Sequence, residues 1–83
     1  MTQYLITFRS LTHAQRSSRV LERAGITTAV IKAPQGLSSS GCAYAITLRR
    51  EPEMALTLLK QNGLAIGKLF QRGAGGRYTE WKV

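Results

Sequence analysis

Cys42 is the residue of this chain best suited to covalent chemistry. It is the single cysteine among 83 residues, and it follows Ser38, Ser39, Ser40 and Gly41. A lone thiol closes no internal disulfide, so its chemistry is that of its thiolate. Cationic groups, a helix N-terminus or a cradle of backbone N–H groups lower a thiol pKa from about 8.5 to about 3.5–7.5. A thiolate so favoured is a nucleophile, or an acceptor of a sulfur-group atom. The competing reading is a small buried apolar side chain next to Ala43. Other candidates are few. One histidine, His13, and four glutamates supply no metal cage and no multi-carboxylate site, so neither metal nor cofactor is expected. The chain has no aspartate, and hence no Ser-His-Asp set; Ser38–Ser40 read as loop residues and His13 as a solvated helix residue.

The elements that must position Cys42 follow from patterning. Gln3–Arg9 alternates, with Tyr4, Ile6 and Phe8 on one face and Leu5, Thr7 and Arg9 on the other, as a strand does. Leu11–Ala24 reads as a helix. Thr12 with Gln15 fits a capping box, Ser10 is a competing cap, and Ala14, Ser18 and Leu21 recur at helical spacing. Arg16, Arg19 and Arg23 form a basic stripe along it. Gly25 suits the turn that ends it. Ile26–Ala33 is a second β-branched run, Pro34–Gly41 a loop, and Ala43–Arg49 a third strand with Tyr44, Ile46 and Leu48 on one face. Pro52 opens a second helix running to about Asn62 and burying Met54 or Ala55, Leu58 and Leu59; Gly63 closes it. Leu64–Phe70 reads as a fourth strand, at the edge of the sheet.

The order β-α-β-β-α-β predicts an α+β fold, the ferredoxin-like sandwich, with a four-stranded antiparallel sheet carrying two helices on one face. One domain, residues 1–70, is expected, followed by a mobile basic, glycine-rich tail over 71–83. That topology sets strand three between strands one and two. Cys42 then lies near Arg9, Ser10, Thr12 and His13, where the helix N-terminus carries partial positive charge.

Composition narrows the function. A chain this short buries about 60–65% of its unfolded surface and is marginally stable alone. The start does not read as a signal peptide, and no apolar run reaches the ~20 residues of a membrane span, so a cytoplasmic protein with a free thiol is expected. Twelve Lys and Arg against four Glu give +8, a balance that favours polyanions or acidic proteins as partners.

Three segments give the chain a likeness. YLITFRSLTHA, LERAGITTAVIKAP and SSSGCAYAITLR, together with NGLAIGKLF, resemble a family of short bacterial proteins described as putative selenium/sulfur carrier-like. The stretch Ser-Ser-Gly-Cys-x-Tyr-Ala discriminates best. Ala43 stands where family members often carry glycine. The resemblance implies a carrier rather than an enzyme. In it Cys42 takes the terminal sulfur or selenium of a persulfide or selenopersulfide on a cysteine desulfurase-type donor and hands it to an acceptor protein. Arg9 and the loop amides would hold the anionic chalcogen, Ser38, Ser39 and Ser40 would hydrogen-bond it, and Arg16, Arg19 and Arg23 would dock an acidic partner.

Two other classes compete. A basic ferredoxin-like module suits nucleic acid, with Tyr4, Phe8 and Tyr44 as candidate stacking residues and the RGAGGR segment as a phosphate contact, although the aromatic RNA-binding signature of such modules is absent. A small non-redox regulatory domain that forms a homodimer through an edge strand is the third.

Overall fold

A computed structural model describes residues 3–34, 43–50 and 52–81. Cys42, the Ser38–Gly41 stretch and the loop around them lie outside the described residues.

The elements run β1 (Gln3–Phe8), α1 (Leu11–Arg23), β2 (Thr28–Lys32), β3 (Tyr44–Leu48), α2 (Pro52–Gln61), β4 (Leu69–Arg72) and β5 (Tyr78–Trp81). The strands form one antiparallel sheet in the order β2-β3-β1-β4-β5. The expected α+β architecture with two helices is present, and β3 lies between β1 and β2, antiparallel to both. The expected number of strands is corrected from four to five.

That correction changes the sheet's edge. β5 pairs with β4 from Leu69↔Trp81 to Arg72↔Tyr78, so β4 is an interior strand and β5 takes the margin. β5 comes from the segment assigned to the tail, through a hairpin whose glycines supply the turn. Gly75 and Gly76 have φ of 78° and 77°, a region that side chains with a Cβ disfavour. Gly73 N–H donates to Arg77 O at 2.7 Å and closes the loop. The fourth strand is also shorter than its apolar run suggests, Leu69–Arg72 rather than Leu64–Phe70. β1 is its partner, and β1 ends at Phe8. Residues 64–66 therefore have no strand to pair with. Leu64 and Ile66 pack on the core from irregular backbone instead.

Alternation divides the sheet into two faces. Tyr4, Ile6, Phe8, Ile46, Leu48 and Leu69 meet Ala14 and Leu21 of α1 and Ala55 and Leu59 of α2 in one buried cluster, so both helices cover the same face. Met54 is 61% exposed, which settles the second helix's inward position on Ala55. Leu5, Ala45 and Phe70 form a smaller cluster on the opposite face, with Ile31, Ala33 and Tyr78 packed against it. Trp81 closes the helix side at the margin. Its ring meets Tyr4 edge-on at 5.2 Å, and its Nε1–H donates to Gln71 Oε1 at 2.6 Å. Among the described residues no helix is long and apolar enough to cross a membrane.

Candidate functional site

The candidate site is built where β1 gives way to α1. Ser10 is the N-cap, with extended backbone (φ −135°, ψ 157°), and its Oγ accepts from His13 N–H at 3.2 Å. Serine is favoured there because its hydroxyl satisfies an N–H that the helix leaves unpaired. The cap is thus Ser10, and the capping box on Thr12 does not start the helix. Ser10 Oγ and His13 Nδ1 also share a hydrogen bond at 2.6 Å, which ties the two side chains together at the helix start. Arg9, Thr12 and His13 are exposed.

Thr7 locks this end of β1 to the chain entering β4. Its Oγ1 accepts from Lys68 N–H at 2.8 Å and donates to Lys68 O at 3.3 Å. Gly67 N–H donates to Thr7 O at 2.7 Å. Thr7 is 1% exposed, so these bonds are shielded from water.

The strand register decides what surrounds the entry to β3. Tyr44 lies opposite Phe8 on one side and Lys32 on the other. Ala33 N–H donates to Ala43 O at 2.9 Å and extends the ladder one step past Lys32. Arg9, directly after Phe8, and Lys32 therefore flank β3 at its start. Ala43, the first described residue of this stretch, is joined to Cys42 by one peptide bond. With β3 between them, the two cations stand two strand spacings, or about 10 Å, apart along the same rim of the sheet. Sequence reasoning found Arg9 and missed Lys32. Nothing local marks Lys32; its nearness to β3 follows only from the pairing.

Of the expected site residues, Arg9, Ser10, Thr12 and His13 lie within five consecutive positions at the β1–α1 turn, at the end of the sheet where β3 begins. Ser38, Ser39, Ser40, Gly41 and Cys42 lie outside the described residues. Arg16, Arg19 and Arg23 are exposed along α1 and make no ion pair among the described residues. The stripe runs away from the rim, and Arg23 sits in the last turn, where a cation complements the helix dipole. Two of the three aromatic residues considered as base-stacking positions are buried and not free for that purpose. Tyr4 and Phe8 are 7% and 1% exposed beneath the helices, and Tyr44 packs half-buried against the same core.

Neither a curated protein nor a solved structure matches the chain. A protein family does, over residues 3–71, a span that takes in the rim, the serine-glycine stretch and Cys42. The chain belongs to the family described as "Putative Se/S carrier protein-like".

Proposed function

We propose that the protein is a carrier of zero-valent sulfur or selenium, with Cys42 as the carrying residue. The observation that carries this reading is the family match across residues 3–71. The rim supports it, because Arg9, Lys32 and the N-terminus of α1 place positive charge at the end of the sheet where β3 begins, two residues after the thiol. The order β2-β3-β1-β4 supports reading the core as the ferredoxin-like sandwich, with β5 added at its margin.

The transfer step conserves oxidation state overall. The Cys42 thiolate attacks the terminal sulfur of a donor persulfide, donor–S–SH. A new S–S bond forms, the donor's own S–S bond breaks, and the products are Cys42–S–SH and the donor thiolate. The acceptor's thiolate repeats the step in the other direction; selenium replaces the terminal sulfur in the selenopersulfide version. Arg9 and Lys32 stabilise the anionic terminal atom, and Ser38–Ser40 hydrogen-bond it. Arg16, Arg19 and Arg23 steer an acidic donor or acceptor by long-range attraction. No turnover of substrate is involved, so the protein acts as a carrier rather than an enzyme. A thiol-reducing compartment such as the cytosol suits a free Cys42.

The test is intact-protein mass spectrometry after incubation with a cysteine desulfurase and cysteine or selenocysteine, without reductant. Wild type gains one sulfur or selenium atom that a thiol reductant removes, and Cys42→Ala gains none. Absence of the adduct, where an established persulfide acceptor is loaded in parallel, overturns the reading.

A further inference from the structure

We propose that the far end of the sheet, away from the rim where β3 begins, binds single-stranded nucleic acid through Arg49, Arg72 and Arg77, with Tyr78 as a base-stacking residue. The inference rests on no part of the carrier reading.

The register assembles this surface from four strands. Arg72 closes β4 opposite Gln3 of β1 and Tyr78 of β5. Arg77 precedes Tyr78 in the hairpin loop. Arg49 stands one residue beyond the Tyr4↔Leu48 pair. β1 separates Arg49 from Arg72, a span of two strand spacings or about 10 Å. All three arginines are exposed. Arg72 is also held in place. Its Nη1 donates to Gln3 Oε1 at 3.2 Å. Its guanidinium lies against the glycine turn, where a Cβ on Gly76 would stand 3.5 Å from Nη2. A positioned guanidinium spends little conformational entropy when it grips an anion.

Among the described residues no carboxylate forms an ion pair with these arginines. Glu22 belongs to α1 and Glu53 to α2, in the helix layer. Glu80 reaches Lys68 Nζ at 3.4 Å, further along the hairpin. Among the described residues the arginines are therefore unpaired, and Arg72 and Tyr78 lie at the β4–β5 margin of the sheet. Tyr78 is half-buried against the small cluster on the uncovered face and stands opposite Arg72 in the register. An acidic peptide would use the guanidinium groups and leave the ring idle. A nucleic-acid strand uses both, phosphates on arginine and a base on tyrosine.

The test is fluorescence anisotropy of a labelled mixed-sequence RNA 12-mer with the full chain, across a salt series. Arg72→Gln/Arg77→Gln weakens binding about tenfold or more. It also flattens the slope of log affinity on log salt by about 1.4, for two lost phosphate contacts at about 0.7 each. Arg16→Gln/Arg19→Gln removes the same charge from α1 and weakens binding less than threefold. Tyr78→Ala costs about fivefold or more, and Tyr78→Phe stays near wild type. Thermal unfolding midpoints within a few degrees of wild type confirm that the arginine variants are folded. Cys42→Ser binds as wild type does, which separates this result from the carrier test. Equal losses in the two arginine pairs would show diffuse attraction and overturn the proposal. So would undetectable binding, or a polyglutamate peptide that competes as well as unlabelled RNA with no effect of Tyr78→Ala.

Discussion

At the Phe8 end of the sheet, side-chain hydrogen bonds fasten the chain. Ser10 caps α1, and Thr7 grips both backbone groups of Lys68. At the Gln3 end, the hairpin glycines turn the backbone and long cationic side chains project from the strand ends. The first end has small polar groups bonded close to backbone, which suits holding one small atom. The second is open, with charges spread over several strands, which suits an extended polyanion. The apolar centre of the sheet connects the two. On the two proposals above, the first end would serve the carrier chemistry and the second the polyanion.

Stability separates the two ends, and the largest effect belongs to the core beneath the first. Phe8→Ala empties a 1%-exposed position between sheet and helices and costs about 3–5 kcal/mol. A domain this small has roughly 4–12 kcal/mol of stability in total, so the variant's urea midpoint should fall by about a third or more, or the fold be lost. An unchanged urea midpoint would mean that Phe8 is not the anchor of its end. Ser10→Ala removes the cap and the His13 contact and costs about 1 kcal/mol by the same measurement. It should also raise amide hydrogen exchange in the first turn of α1 while leaving the hairpin as it was. Spread of that exchange to residues 69–81 would show that the two ends are coupled. The smallest effect is expected at the hairpin, where Glu80→Gln breaks an exposed ion pair with Lys68 and shifts stability by a few tenths of a kcal/mol at most. A larger shift would make the margin a structural device rather than a binding one.

Much of the molecule is legible in local pattern. The strands at Tyr4–Phe8 and Tyr44–Leu48 read directly, because a residue's face follows from alternation alone. Pro52 marks the start of α2, and Gly25 and Gly63 mark the helix ends with φ of 84° and 70°. Arg9, Ser10 and His13 stand out as a polar group at a strand-to-helix turn. The hairpin is less legible. RGAGGR reads as a flexible segment by composition, and the four residues YTEW are too few for a strong period-two signal. What could have revealed it is the pair of facing aromatic runs, Leu69-Phe70 and Tyr78 to Trp81, on either side of a glycine-rich loop of hairpin length. Lys32 gives no signal of its own, since a lysine at the end of a strand is ordinary until its neighbour across the sheet is known.

The linear chain by itself determined the element types, the two faces of β1 and β3, the single thiol and the excess of positive charge. These depend on backbone sterics, side-chain periodicity and counting, all of which act within a few residues. Only the tertiary structure decided that β4 is interior, that β5 exists, that Lys32 joins Arg9 beside β3, and that Arg49, Arg72 and Arg77 share a margin. Each of these is a pairing between segments distant in sequence. Pairing is set by which register buries the most apolar surface and satisfies the most backbone groups, a competition that no local window contains.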